Sequence, residues 1–201
     1  MKNKTTMKKL IVTFFLVAGS LYSFGQELGI GIKGGVNFAK LDGTTSAEAN
    51  FENRTGYHFG AFALIKVNRI GIQPEVVFSQ QGSKVKIAGD DFDANFSYIN
   101  IPVILKLYTV AGINLQVGPQ FGFLSRAEVD GDDVKESFKN SDVSLALGAG
   151  WDLPFGLKID ARYNLGLTKI DESPQYEGIK NQVIQLSVGY TLFKLGDSDS
   201  K

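Results

Sequence analysis

The chain has 201 residues, with 21 basic and 21 acidic side chains, one histidine and no cysteine. This balance gives no sign of a nucleic-acid-binding surface. The lack of thiols excludes disulfide bonds and thiolate metal sites.

The first 25 residues have the pattern of a cleaved export signal and are set aside from the fold. Four lysines precede the apolar stretch 10–21, which is too short to cross a bilayer as a helix. Small residues at positions 23 and 25 suit a signal peptidase, so we expect a signal peptide over 1–25 and a mature chain that begins at Gln26. The mature chain has 17 basic and 21 acidic residues, a net charge of −4.

Apolar and polar residues alternate with period two in eight segments between Leu28 and Phe193. This alternation predicts strands whose two faces meet different surroundings. The polar faces carry mostly Gly, Asn, Gln and Ser with a few charges of both signs, whereas the outer face of a soluble barrel would be rich in Lys and Glu. The composition therefore predicts a polar lumen and a lipid-facing apolar surface.

The connections between these segments alternate in length. Long polar loops are predicted at 42–53, 82–95, 126–140 and 170–180, and tight turns at 68–69, 109–112 and 154–156. Short turns on one side and long loops on the other are the plan of bacterial outer-membrane barrels, whose apolar height strands of about 11 residues would match.

The predicted fold is all-β: an eight-stranded antiparallel up-and-down transmembrane β-barrel over residues 26–201. The strands should end near residue 194, before a short polar C-terminal tail, with both termini in the periplasm. Side chains fill an interior of this size, so no open pore is expected. Pro74, Pro102 and Pro119 fall inside predicted strands. A closed barrel has no edge for a missing N–H, so we expect a bulge or a strand end at each.

Several motifs occur in the order known from one family. They are Tyr57-His58-Phe59-Gly60, Gln73-Pro74-Glu75, Ser79-Gln80-Gln81-Gly82, Tyr98-Ile99-Asn100-Ile101-Pro102-Val103 with Lys106, Gly118-Pro119, Leu147-Gly148-Ala149-Gly150 and Ala161-Arg162-Tyr163-Asn164-Leu165-Gly166-Leu167. From about Gln26 to Phe193 the chain resembles the PorT-like outer membrane protein β-barrel domain family of Gram-negative bacteria, often labelled porin family. The resemblance implies an outer-membrane barrel, with no established activity for most members and a part in protein secretion or gliding for a minority.

Several charged residues fall on the lumen side of the predicted strands. They are Lys33, Lys66, Glu75, Lys106, Asp142, Asp152, Lys158, Asp160 and Arg162. A buried charge must be paired. Glu75 and Lys106 are plausible direct partners because their strands are neighbours, and Arg162 can hold a carboxylate with two parallel hydrogen bonds. We predict that Glu75, Lys106, Arg162 and Asp160 form a lumen charge network that holds the barrel closed.

Aromatic side chains are expected to form a girdle at each membrane interface. Near the long loops the predicted members are Phe38, Tyr57, Phe59, Phe78, Phe121 and Phe123. Near the short turns they are Trp151 and Tyr190, together with Tyr108.

These features favour a structural or interaction protein that is not an enzyme and that acts through its extracellular loops or envelope partners. No cofactor, metal or catalytic residue is expected. The expected partners are outer-membrane lipids, the barrel-assembly machinery during insertion and other envelope proteins, but not nucleic acid. Two alternatives stay open: a small lipid or peptide hydrolase using His58 at the lumen rim, and a narrow porin-like channel. The acidic segments 90–93 and 130–133 also leave weak calcium binding open.

Overall fold

The structure, a computed structural model, describes residues 26–45, 50–87, 90–129, 132–133, 141–168 and 176–196. The strands are β1 Gln26–Thr45, β2 Asn50–Val67, β3 Ile70–Ile87, β4 Asp90–Tyr108, β5 Ile113–Val129, β6 Asp132–Asp133, β7 Ser141–Asp152, β8 Leu157–Gly166 and β9 Tyr176–Leu195. Within these ranges no helix is long and apolar enough to cross a membrane. The predicted signal peptide and residues 197–201 of the predicted tail lie outside the described residues.

Eight of these strands close into a barrel. Each pairs antiparallel with its neighbour in sequence order, and β9 pairs with β1 to complete the circuit. The two-residue β6 pairs only with the outer end of β5. The predicted eight-stranded antiparallel barrel is therefore confirmed.

The strand register fixes the width of the barrel. Cross-strand pairs can be followed around the barrel from Leu28, through Ile65, Ile72, Leu105, Val117, Leu147, Tyr163 and Ile184, back to β1 at Phe38. One circuit thus shifts the register by ten residues, from 28 to 38, and this stagger tilts the strands by about 40°. With eight strands, the interior is just wide enough for side chains.

The two faces of each strand meet different surroundings, as β4 illustrates. Its outward side chains are 37–44% exposed and all apolar: Ile99, Ile101, Val103, Leu105 and Leu107. Its inward side chains are buried and include Tyr98, Asn100, Lys106 and Tyr108. Because this apolar outer surface continues around the barrel and is far larger than a water-soluble monomer exposes, lipid is the solvent that matches it.

Most strands are longer than the sequence predicts. β1 and β9 have 20 residues each, and much of the predicted loops 42–53 and 82–95 is strand. Twenty tilted residues span about 50 Å, roughly twice the apolar height of an outer-membrane barrel. The alternation of apolar and polar residues is weaker in these stretches, so the sequence predicted loops there. β7 and β8 are shorter, with 12 and 10 residues.

The three strand prolines lie at neither a bulge nor a strand end, so that prediction is wrong. Each stands where the ladder to the preceding strand lacks a pair while the register continues unchanged. At Pro74, for example, the pair Phe62 to Glu75 is followed directly by Ile65 to Ile72. The other side of each proline keeps its partner: Val103 for Pro74, Gln120 for Pro102 and Leu145 for Pro119. The missing N–H therefore falls at a local gap in one ladder.

Nearly all the predicted girdle residues lie on the outer face. The rings of Tyr57 and Phe59 stack with centroids 6.5 Å apart, and Phe78 packs 5.2 Å from Phe59. Tyr108 is a correction, because it points into the lumen, is 7% exposed and donates its hydroxyl hydrogen to Asp152 at 2.7 Å. Its place at an even-numbered position of β4, in phase with Lys106, explains this orientation.

Trp151 should lie at the membrane interface next to the tight turns. Its indole nitrogen donates to the carbonyl oxygen of Ala111 at 2.8 Å, and its ring is 45% exposed. Since the chain has one tryptophan, quenching by lipids labelled at graded depths reports this residue alone. We expect the strongest quenching from labels near the headgroups. Strongest quenching from the bilayer centre would contradict this placement.

Candidate functional site

A cluster of charged side chains fills the middle of the lumen. Six of its members are only 0–5% exposed: Lys33, Glu75, Lys106, Lys158, Asp160 and Arg162. They project from β1, β3, β4 and β8, so the cluster connects opposite walls of the barrel. Asp152, at the end of β7, extends it toward the tight turns.

Glu75 and Arg162 form the central pair of this cluster. The Arg162 guanidinium donates two parallel hydrogen bonds to the carboxylate, at 2.7 and 2.9 Å. Lys33 Nζ donates to the same carboxylate at 3.3 Å, and Gln73 donates at 2.7 Å. Gln116 accepts from Arg162 Nε at 2.6 Å and so satisfies a further guanidinium donor. Such charge-assisted, paired hydrogen bonds fix both groups in one geometry.

Two aspartates continue the alternation of charges. Asp160 lies 3.6 Å from Lys33 Nζ and 3.6 Å from Lys106 Nζ. Asp152 lies 3.1 Å from Lys106 Nζ and also accepts from Lys158 and from the Tyr108 hydroxyl. Each carboxylate thus has at least two cationic neighbours, which offsets the cost of removing it from water.

The structure changes the predicted pairing inside this network. No ion pair joins Glu75 to Lys106 among the described residues; Lys106 instead binds Asp152 and Asp160. The register gives the reason, because Lys106 pairs across the sheet with Gly71, four residues and about 13 Å from Glu75 along β3. The four predicted residues do lie in one cluster, with Asp160 between Lys106 and Arg162. The prediction missed Lys33, Asp152 and Lys158 as members, although strand parity had already placed all three in the lumen.

A glycine makes room for the network. A Cβ added at Gly150 would lie 2.4 Å from Asp160 Oδ1 and 2.3 Å from Gln116 Nε2. Neither distance is compatible with the present contacts. Gly150 therefore leaves space on β7 for the polar groups of β5 and β8.

His58 lies inside the lumen, not at an open rim, and connects two polar side chains. Its Nδ1 is 2.9 Å from Asn37 Oδ1, and its Nε2 is 2.9 Å from Ser187 Oγ. Asn37 Nδ2 donates to Ser79 Oγ and to the Gln80 carbonyl, so Asn37 Oδ1 is the acceptor end. Hence His58 Nδ1 carries the proton, and Ser187 donates to Nε2.

This order of serine, histidine and asparagine matches the connectivity of a hydrolase triad. Asn37, His58 and Ser187 are only 0–3% exposed, however, so a lipid or peptide carbonyl has no approach to the serine. In this arrangement the three side chains satisfy each other's hydrogen bonds.

At the tight-turn end the lumen opens into a wide mouth. A cavity of about 1510 Å³ is lined there by Glu27, Lys66, Tyr108, Lys158 and Lys194, among others. Lys66 and Lys194 lie 3.6 and 3.5 Å from Glu27. Asp152 and Lys158 belong both to this lining and to the charge network, so the network forms the floor of the mouth.

Removing the Glu75 carboxylate should destabilise the barrel through Arg162 and Lys33. Glu75→Gln leaves Asp160 as the one nearby carboxylate for both buried cations among the described residues, and we expect a loss of about 3–5 kcal/mol in the free energy of unfolding. Double-mutant cycles with Lys33→Met and Lys106→Met form a matched pair. Of these two lysines, Lys33 is the one that contacts Glu75. The coupling energy between Lys33→Met and Glu75→Gln should therefore exceed about 1 kcal/mol, and the coupling energy between Lys106→Met and Glu75→Gln should be smaller. Urea unfolding in micelles measures both, and equal couplings would refute the pairing described above.

The fold and the sequence both have known relatives. Neisserial surface protein A (NspA) is 16% identical, with a TM-score of 0.56 over 83% of this chain and 99% of that chain. Ail, the attachment invasion locus protein of Yersinia pestis, solved with the heparin analogue sucrose octasulfate, is 16% identical, with a TM-score of 0.50 over 86% of this chain and 99% of that chain. No curated protein matches the chain. The family model described as outer membrane protein beta-barrel domain matches residues 23–172, from the start of β1 past the end of β8. The chain belongs to the outer membrane protein beta-barrel domain family.

Proposed function

We propose that the protein is a non-enzymatic outer-membrane barrel with a closed lumen that presents an extracellular platform to partners in the cell envelope. One observation carries the proposal: six strands continue well beyond the apolar belt, on the side opposite the tight turns. A barrel that served only as an anchor would need strands of about the membrane's height.

Export, membrane insertion, the surrounding lipid and the family subgroup belong to the same proposal. A signal peptide over 1–25 exports the chain, the barrel-assembly machinery inserts it, and membrane lipids surround the apolar belt. The ordered motifs from Tyr57 to Leu167 support a PorT-like assignment within the family.

The charge cluster supports a closed lumen. Lys33, Glu75, Lys106 and Arg162 are almost completely buried. Glu75 binds Lys33 and Arg162 across the barrel, and Asp160 connects Lys33 to Lys106. An ion passing through would have to separate these pairs, at a cost of several kcal/mol.

The charge of the outer segments indicates the kind of partner. Segments 39–55, 82–97, 124–141 and 168–183 together hold nine basic and fourteen acidic residues, a net charge of −5. This acidic surface would repel a polyanion such as the sulfated ligand in the Ail structure. We infer that the platform binds a partner with a basic face, such as an envelope protein.

The partner's charge can be tested by gentle extraction and cross-linking. We expect proteins captured by the wild type to dissociate as ionic strength rises, because exposed charge pairs are screened. The variant Asp90→Asn, Asp91→Asn, Asp93→Asn should capture less partner protein than the wild type. The variant Lys84→Gln, Lys86→Gln on the adjoining strand should capture at least as much partner protein as the wild type. Capture that is unaffected by salt and by both variants would contradict an electrostatic platform.

Conductance tests the closed lumen. In planar bilayers the wild type should show no steady single-channel current. The variant Glu75→Ala, Arg162→Ala should raise the current above the wild-type level because it removes the central pair. Steady wild-type channels would support the porin-like alternative.

The buried Asn37–His58–Ser187 arrangement is the observation that keeps a hydrolase as second candidate. We expect no labelling of Ser187 by a fluorophosphonate and no hydrolysis of lipid or peptide esters. His58→Ala should instead lower the unfolding midpoint, because it removes the hydrogen bonds that the imidazole makes with Asn37 and Ser187. Labelling of Ser187 that disappears in His58→Ala would establish the enzyme.

A further inference from the structure

A second polar site lies nearer the outer end of the lumen, away from the charge cluster. It is a cavity of about 10 Å³, room for about one water-sized particle. Its lining comes from six barrel strands and includes Tyr98, Asn100, Asp142, Ser144 and Asn164. Nearly all of these groups can offer an oxygen atom.

Asp142 is a buried carboxylate that lacks a cation. It is 7% exposed and accepts a hydrogen bond at 2.6 Å from the hydroxyl of Thr168 and another from the backbone N–H of Val143. In the part of the chain that the structure describes, no lysine or arginine forms an ion pair with it, whereas each carboxylate of the charge cluster has at least two. A carboxylate removed from water requires a counter-charge or strong donors.

Asn164 independently indicates an occupant. Its side chain is 4% exposed, and its Oδ1 accepts no hydrogen bond from any residue that the structure describes. A buried amide oxygen without a partner costs about 1–3 kcal/mol. Since Asn164 lines the same cavity as Asp142, one positively charged particle there would satisfy both residues.

Gly122 keeps this space open. It pairs with Asn100 on one side and with Asp142 on the other, so the three residues lie side by side on β4, β5 and β7. A Cβ at position 122 would lie 2.9 Å from Asn100 Oδ1 and 3.6 Å from Asp142 Cβ. Any side chain there would crowd the oxygens that face the cavity.

We propose that this cavity binds one calcium ion, held by the Asp142 carboxylate and the amide oxygens of Asn164 and Asn100, with the oxygens of Gln81, Gln120 and Ser144 from the same lining completing the coordination. Carboxylate, amide and hydroxyl oxygens are the ligands that Ca²⁺ prefers, whereas Mg²⁺ retains several waters for which a one-particle cavity has no room. A single carboxylate makes the site weak, with half-saturation at about 10⁻⁴–10⁻³ M, the range of extracellular modules. The acidic outer segments raise the local cation concentration at its entrance.

Thermal unfolding of the full barrel in micelles tests the site. Millimolar Ca²⁺ should raise the unfolding temperature of the wild type more than the same concentration of Mg²⁺. Asp142→Asn should weaken the half-saturation at least about tenfold, because the site's one charged ligand is lost. Asn164→Leu and Gly122→Ala should weaken it as well. The matched control, Asp90→Asn, Asp91→Asn, Asp93→Asn, lowers the acidity of an outer segment and should retain the Ca²⁺ effect.

Luminescence of Tb³⁺ tests the location. Because Tyr98 lines the cavity, its excitation should sensitise bound Tb³⁺. Ca²⁺ should displace the ion, and Tyr98→Phe should remove most of the Ca²⁺-sensitive emission even if Asp142→Asn fails to fold. Loss of the Ca²⁺ effect in the control variant, or emission unaltered in Tyr98→Phe, would overturn the proposal. So would a wild type whose unfolding no cation shifts, since the cavity would then hold only water.

Discussion

The closure of eight strands with a ten-residue shift per circuit is the constraint on which the rest of this structure depends. It sets the diameter of the lumen, and a lumen of that size has to be filled by side chains because it is too narrow for an open channel. The outer surface is apolar to suit lipid, so the inward face alone carries the polar and charged groups. Their mutual pairing replaces the hydrophobic core of a soluble domain.

Four buried cations and three carboxylates share the middle of this lumen, and their arrangement depends on contacts across the barrel. Glu75 on β3 binds Arg162 on β8 and Lys33 on β1, and neither of these strands is a neighbour of β3. Such contacts connect strands that share no backbone hydrogen bonds with each other. The cluster therefore cross-links opposite walls of the barrel. Gly150 leaves the space that the cluster needs, because a side chain there would collide with Gln116 and Asp160.

The two ends of the molecule serve different roles for physical reasons. At one end, tight turns and Trp151 limit the barrel to the membrane surface and leave a wide mouth closed at its floor by Asp152 and Lys158. At the other end, six strands extend well beyond the apolar belt. Asp142 forms no ion pair with a lysine or arginine of the described ranges, which distinguishes it from the carboxylates of the charge cluster.

The sequence by itself determined the faces, because a strand's period of two leaves no choice once one face must meet lipid. Lys106, Glu75 and Arg162 could be placed in the lumen on that basis alone, as could the order and direction of the strands. Only the tertiary structure decided which of them pair, since partners depend on the stagger between strands, and a shift of four residues separates Glu75 from Lys106. The tertiary structure likewise decided how far the strands extend beyond the apolar belt and where the cavity beside Asp142 lies. Alternation of apolar and polar residues is not required where both faces of a strand meet water. A cavity is formed by several strands together, so no single segment encodes it.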